Sequence, residues 1–282
     1  MRESLPFLID LMDDESQEVK EEVLKAFNNY GFNLESDIKE FSDLLDQEKM
    51  EILMPIIFMN RFIWLKQNWN SWFSIFDDYQ KLETAMALLT KFLYGLDYKV
   101  DLSHLLDELA EEFMNKYPYG NELDLSYFLF HLKNIKGEKE NYYNPLNSSL
   151  VYAINNKRGI PITLCMLYML VGDRAGFHIE GCNFPGHFLS KIVQDDEILF
   201  VDCYNDGRVI YESELESLKI QSGRRFVNLT DSSTSPEVII RRVLNNLLSA
   251  FKKNDDINNS MHIQKIIELT PTDSDKEKYS LI

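Results

Sequence analysis

The run RGIPITLCMLYMLVGDRAG at residues 158–176, followed by NFPGHFLSKIVQDDEILFVDCYNDG at 183–207, decides the fold. Pro161–Ala175 reads as one apolar helix. Pro161 suits the first helical position, where its missing N–H costs nothing, and Gly176 stops the helix. Three short β-type runs follow at Ile179–Asn183, Phe188–Val193 and Ile198–Cys203. Asp195-Asp196 and Asn205-Asp206-Gly207 supply turns between and after them. Consecutive strands joined by short turns pair antiparallel. The stretch therefore predicts an α+β core with a helix packed on a small antiparallel sheet.

Upstream of this stretch, Ser148–Asn156 and Ser126–Leu132 read as short helices flanking a polar loop, Lys133–Asn147. The first 115 residues are helical throughout, with apolar periodicity at Leu5–Met12, Val19–Phe27, Ile38–Leu45, Ile52–Leu65, Leu82–Leu93 and Leu102–Phe113. The tight acidic turn Asp13-Asp14-Glu15 makes the first two segments an antiparallel hairpin whose spacing resembles HEAT-type repeats. Trp64, Trp69, Trp72, Phe73 and Phe76 stand at helical spacing and read as core. Downstream, Arg208–Leu229 reads as a strand with short helical pieces and Ser232–Ser235 as a linker. Pro236–Lys253 and Ile257–Leu269 then form a helical hairpin. The expected division is a helical region at 1–115, the core at 116–230 and the hairpin at 231–282.

Charge separates these parts. The 282 residues carry 29 Lys+Arg and 46 Asp+Glu, a net −17. Residues 1–120 hold 11 basic and 24 acidic side chains, and 121–282 hold 18 and 22, so −13 of the charge lies in the first part. Such a surface repels phosphate backbones and anionic lipid, which argues against nucleic-acid and membrane partners and for a basic protein partner. The paired basic residues Lys157-Arg158, Arg224-Arg225, Arg241-Arg242 and Lys252-Lys253 are scattered and read as solvated charges. The opening MRESLPFLIDLMDDE has acids where a signal peptide needs an apolar run, and the three cysteines suit a reducing compartment, so a cytoplasmic location is expected.

His104, His131 and His262 lie on helices without a polar cluster, and His178 follows a turn with no evident partner. His187 differs. It follows Pro185-Gly186 at the opening of a strand, and Asp202 ends the neighbouring strand of the hairpin. Adjacent antiparallel strands can bring these two together, and a carboxylate then fixes the imidazole tautomer as the orienting group of a general base. No Cys/His set has metal-ligand spacing and no glycine-rich phosphate loop occurs, so neither metal nor cofactor is expected.

Taken with Asn141-Tyr142-Tyr143-Asn144-Pro145-Leu146-Asn147-Ser148 and Arg158-Gly159-Ile160-Pro161-Ile162-Thr163-Leu164, these runs resemble the SirB1 family over roughly residues 80–282. The resemblance implies a transglutaminase-like core followed by tetratricopeptide-like helices. It also implies a catalytic arrangement of Cys at a helix start, His on the sheet and Asp on the next strand. His187 and Asp202 occupy the last two places. The nucleophile position is Pro161, two residues after Gly159 and fifteen before Gly176, and proline has no reactive group.

Cys165 is the alternative nucleophile. It lies about 400° round the helix from Pro161 and about 6 Å further along the axis, one turn too deep for contact with the base. Its neighbours Leu164, Met166 and Leu167 make it a buried, inert thiol. Thr163 lies about 200° round the helix and is a weak alcohol. The expectation is a non-catalytic module that binds a protein or peptide, with Asn183, Pro161, Thr163, Tyr143 and Asn147 as cleft residues. The competing reading is a cysteine hydrolase or acyltransferase using Cys165, His187 and Asp202.

Overall fold

In the computed structural model, residues 2–184, 187–214 and 234–272 are described. By compactness they divide into two units: residues up to Trp69 with Leu88–Lys99, and Asn70–Ala87 with the residues from Val100 onward. The division falls away from the expected boundary near residue 115, and the hairpin expected as a separate part lies in the unit that holds the sheet.

The first unit contains helices α1 (Leu5–Asp10), α2 (Gln17–Asn28), α3 (Leu34–Ile38) and α4 (Gln47–Asn68), with the later part of α5 (Asp78–Tyr94). Leu5, Ile9, Val23, Phe27, Leu34 and Leu53 are buried in one cluster, which accounts for the periodicity read in the sequence. The segment 38–45 departs from expectation. It continues α3 as a 3-10 turn over Lys39–Leu44, kinked at Phe41, rather than as an α-helix. Inside this unit Arg61 of α4 meets Glu35 of α3, its Nε 2.8 Å from the carboxylate and Nη2 also bonded to it. Arg61 Nη1 donates to the carbonyls of Phe92 and Leu93 at 3.1 and 3.0 Å. A buried guanidinium needs this full set of acceptors, because an unpaired charge away from water is costly.

The second unit is α+β, mostly helical with a small antiparallel sheet. It begins with the first part of α5, then α6 (Leu102–Lys116) and α7 (Glu122–Tyr127). Phe76, read as core, is fully exposed: it lies in a bend before α5, off the helical period, whereas Trp72 is buried edge-on to Phe73. The polar loop carries a short strand β1 (Lys136–Gly137), which pairs in parallel with β2 (Arg158–Gly159) after helix α8 (Leu150–Asn156).

Helix α9 (Pro161–Arg174) follows at once, with Pro161 in its first turn and every residue from Ile162 to Gly172 buried. A helix apolar all round is a central helix, enclosed on all sides. Gly176 has φ +81°, a conformation that terminates the helix at low cost only for glycine. Arg174 at the end of α9 reaches Glu83 of α5 at 2.7 Å and Asp107 of α6 at 2.5 Å.

The sheet is a meander of β3 (Glu180–Cys182), β4 (Leu189–Gln194), β5 (Glu197–Asp202) and β6 (Arg208–Tyr211). Asp195 and Asp196 both take positive φ, as the two-residue turn joining β4 to β5 demands. Register pairs Ser190 with Val201 and Asp202 with Arg208. Helices α10 (Pro236–Lys253) and α11 (Ile257–Leu269) complete the unit, the Ser235 side chain capping α10 at the Val238 N–H. The readings at 215–233, Arg224-Arg225 included, lie outside the described residues. No described helix is long and apolar enough to cross a membrane.

Candidate functional site

His187 and Asp202 are brought together: Nε2 of the imidazole lies 2.8 Å from Asp202 Oδ2. Two features position the histidine. Its backbone N–H donates to Phe184 O at 3.0 Å, closing a tight turn, and its ring stands edge-on to Tyr204 at 6.4 Å. Asp202 is buried at the end of β5 and starts the 3-10 turn Cys203–Asn205. It accepts from the Asn205 N–H at 3.2 Å and from Asn205 Nδ2 at 2.8 Å. Burial pushes the Asp202 carboxyl up, but the hydrogen bonds from His187 and Asn205 outweigh it and hold the group below the usual carboxylate range. An ionised carboxylate only accepts, so Nε2 carries the proton of this hydrogen bond.

At the start of α9 Pro161 occupies the first position. Cys165, one turn deeper, is fully buried and its Sγ donates to Phe188 O at 3.3 Å. Burial and the neighbouring Cys165 thiol raise the Cys203 pKa well above its ordinary value, and Cys203 Sγ lies 3.6 Å from Ser190 Oγ. Cys182 is packed with Leu189, Phe200 and Ile210. All three thiols are therefore inside the core, away from solvent.

The other residues expected to line a cleft divide into anchors and exposed groups. Thr163 is buried and its hydroxyl donates to Asn147 O at 2.9 Å. Asn147, also buried, donates from Nδ2 to Asn141 O at 2.7 Å and Tyr142 O at 3.1 Å, curling the loop back on itself. Its Oδ1 has no donor among the described residues. Tyr143 is 44% exposed; its carbonyl accepts from Asn254 Nδ2 at 2.8 Å, and Lys253 Nζ sits 5.7 Å from its ring centre. The loop is thus tied to the end of α10. Asn183 donates its N–H to Thr234 Oγ1 at 3.1 Å and accepts at Oδ1 from Arg242.

Arg242 is the residue that sequence reasoning missed. It and Arg241 read as solvated charges, and neither is. Arg241 donates to the carbonyl of Thr270. Arg242 lies with its guanidinium 5.2 Å from the Phe188 ring centre and donates from Nη1 to Asn183 Oδ1 and, at 3.4 Å, to Phe184 O. The carbonyl that closes the His187 turn is thus shared with Arg242. Burial depresses the Arg242 pKa, against the influence of the nearby Cys165, Tyr142 and Cys182. A signal was present: Arg242 is three residues after buried Ile239, at the edge of the apolar stripe of α10, where a long side chain covers apolar surface with its stem.

Among the described residues no cluster of three or more His, Cys, Asp or Glu is arranged to hold a metal ion. A family model described as the transglutaminase-like superfamily matches residues 97–245, just over half of the chain. The chain belongs to the transglutaminase-like superfamily. Among its relatives, it is 27% identical over 201 residues to a UPF0162 protein of Xylella fastidiosa, covering 65% of this chain and 69% of that one. It is 24% identical over 196 residues to F-box only protein 21 of Homo sapiens, covering 64% of this chain but 30% of the relative. No solved structure matches it significantly.

A transglutaminase-like centre that cleaves or transfers acyl groups needs a thiolate at the helix start, within about 3 Å of the imidazole. This superfamily member has the oriented imidazole and, at the helix start, a proline ring. What the arrangement offers is a histidine of fixed tautomer, a half-buried guanidinium and exposed tyrosines on a loop tied to α10.

Proposed function

We propose that the protein is a non-catalytic, transglutaminase-like protein-interaction or regulatory module, of the SirB1 kind, whose cleft beside His187 binds a peptide. The single observation that carries this reading is the enclosure of Cys165, fully buried and bonded to Phe188 O, behind a proline at the nucleophile position. A buried thiol with apolar neighbours gains nothing from the helix N-terminus one turn away and cannot reach a substrate. The oriented His187–Asp202 pair fits a scaffold kept for its shape.

The acidic first part suits a basic protein partner, engaged by exposed carboxylates such as Glu15, Glu18 and Glu21 around the start of α2. The test is direct. Folded protein at neutral pH is expected to leave Cys165 unlabelled by a thiol-directed probe and to neither hydrolyse nor cross-link peptides. Peptide turnover that disappears in both Cys165→Ser and His187→Ala would overturn the proposal in favour of a cysteine hydrolase or acyltransferase.

A further inference from the structure

Arg242 is a half-buried cation that no carboxylate pairs with among the described residues. Arg61 has Glu35, Arg174 has Glu83 and Asp107, and Arg208 has Glu214 at 3.4 Å. Arg242 instead meets neutral groups, the Asn183 amide oxygen and the Phe184 carbonyl, both through Nη1. Its Nε–H and the two Nη2 N–H groups have no acceptor among the described residues.

These free groups form a distinct unit. The Nε–Nη2 edge of a guanidinium presents two parallel N–H bonds at the spacing of the two oxygens of a carboxylate. Nη1 and the Phe188 ring fix the plane of the group, so this edge is held in one orientation before any ligand arrives. A half-buried cation is also stabilised by an anion more than a fully solvated one, because water screens it less. Tyr142 stands close by, half exposed, and burial raises its pKa, so its hydroxyl remains a protonated donor at neutral pH.

We propose that the Nε–Nη2 edge of Arg242, beside the His187 turn, is a carboxylate-binding site that takes an acidic side chain or C-terminus of a peptide segment. The site deepens the reading of the cleft as a peptide-binding surface and rests on it. It uses residues outside the acidic first 120, so one chain would engage a basic surface and an acidic segment through different residues.

The experiment titrates the full chain with a short capped peptide containing two glutamates, its glutamine counterpart and inorganic phosphate. Calorimetry and the ¹⁵N shift of Arg242 Nε are followed together. The glutamate peptide is expected to bind saturably and to move the Arg242 Nε signal. The glutamine peptide is expected to bind at least tenfold more weakly. Arg242→Gln should lose the glutamate binding, Arg242→Lys should retain a weakened, salt-sensitive fraction, and Lys116→Gln, with the same charge change on an exposed helix, should bind as the original does. Circular dichroism of the variants separates loss of binding from loss of fold. Equal affinity of the two peptides, undiminished binding by Arg242→Gln, no saturation at 10 mM peptide, or binding of phosphate alone would overturn the proposal. Hydrolysis of the glutamate peptide that needs Cys165 would instead overturn the non-catalytic reading and leave the Arg242 dependence standing.

Discussion

Replacing Asp202 by alanine removes the acceptor for His187 Nε2 and for both donors of Asn205 in one step. Because these donors sit at a buried carboxylate, the expected loss is about 1–3 kcal/mol at neutral pH, measured by urea unfolding. The pH dependence has a defined sign. The folded carboxyl titrates below its unfolded value, so its stabilisation is fully present above the ordinary carboxylate pKa of about 3.9. It is lost as the pH falls from there through the lower folded value. The stability gap between the native chain and Asp202→Ala should therefore narrow on acidification below about pH 4; a gap that did not narrow, or that widened, would contradict it. Thr163→Val tests a second residue. It deletes the hydroxyl that donates to the Asn147 carbonyl, and a loss of about 1 kcal/mol is expected in the same unfolding assay. Cys165, with no solvent access, should react with a thiol probe only at the rate of global opening.

Among the elements, the α10–α11 hairpin carries the clearest titration. Burial depresses the pKa of His262, with Lys265 adding to the effect. A histidine depressed in the folded state stabilises fully above its unfolded value, near 6.5, and loses that contribution as the pH falls through it toward the folded value. Hydrogen exchange in α11 should accelerate between about pH 7 and 5.5 relative to α9 once the intrinsic rate is corrected, and His262→Gln should flatten the difference. The elements also differ in how readable they were. Helix α9 was legible because a proline, a continuous apolar run and a glycine at positive φ mark its two ends and its burial. The β4–β5 hairpin was legible because an Asp-Asp pair interrupts two apolar runs rich in β-branched residues, and it brings His187, just before β4, to Asp202 at the end of β5. Segment 38–45 was not, because its apolar spacing suits an α-helix and a 3-10 turn alike. Phe76 was misread because residue type was taken for burial. The position of Arg242 against Phe188 depends on how α10 docks, a long-range packing event that leaves no local pattern.

At the scale of the whole molecule, the two compact units should respond to different substitutions. Glu35→Ala strands the Arg61 guanidinium inside the first unit, and removing one partner of a buried pair costs about 3–5 kcal/mol. Differential scanning calorimetry is expected to show an early transition in this variant while the ring signals of His187 and Tyr204 stay native through it; simultaneous loss of those signals would contradict the prediction. The anchoring of the His187 turn by Arg242 has a consequence in time. His187 and Asp202 are 15 residues apart, whereas Asn183 and Arg242 are separated by 59. During synthesis the residues of the hairpin emerge first, and the contacts of Arg242 to the turn in front of them wait for α10 to emerge and dock. The nascent chain thus passes through an interval in which His187 and Asp202 have been synthesised and Arg242 has not, and the Nη1 contacts of Arg242 form only after that interval closes.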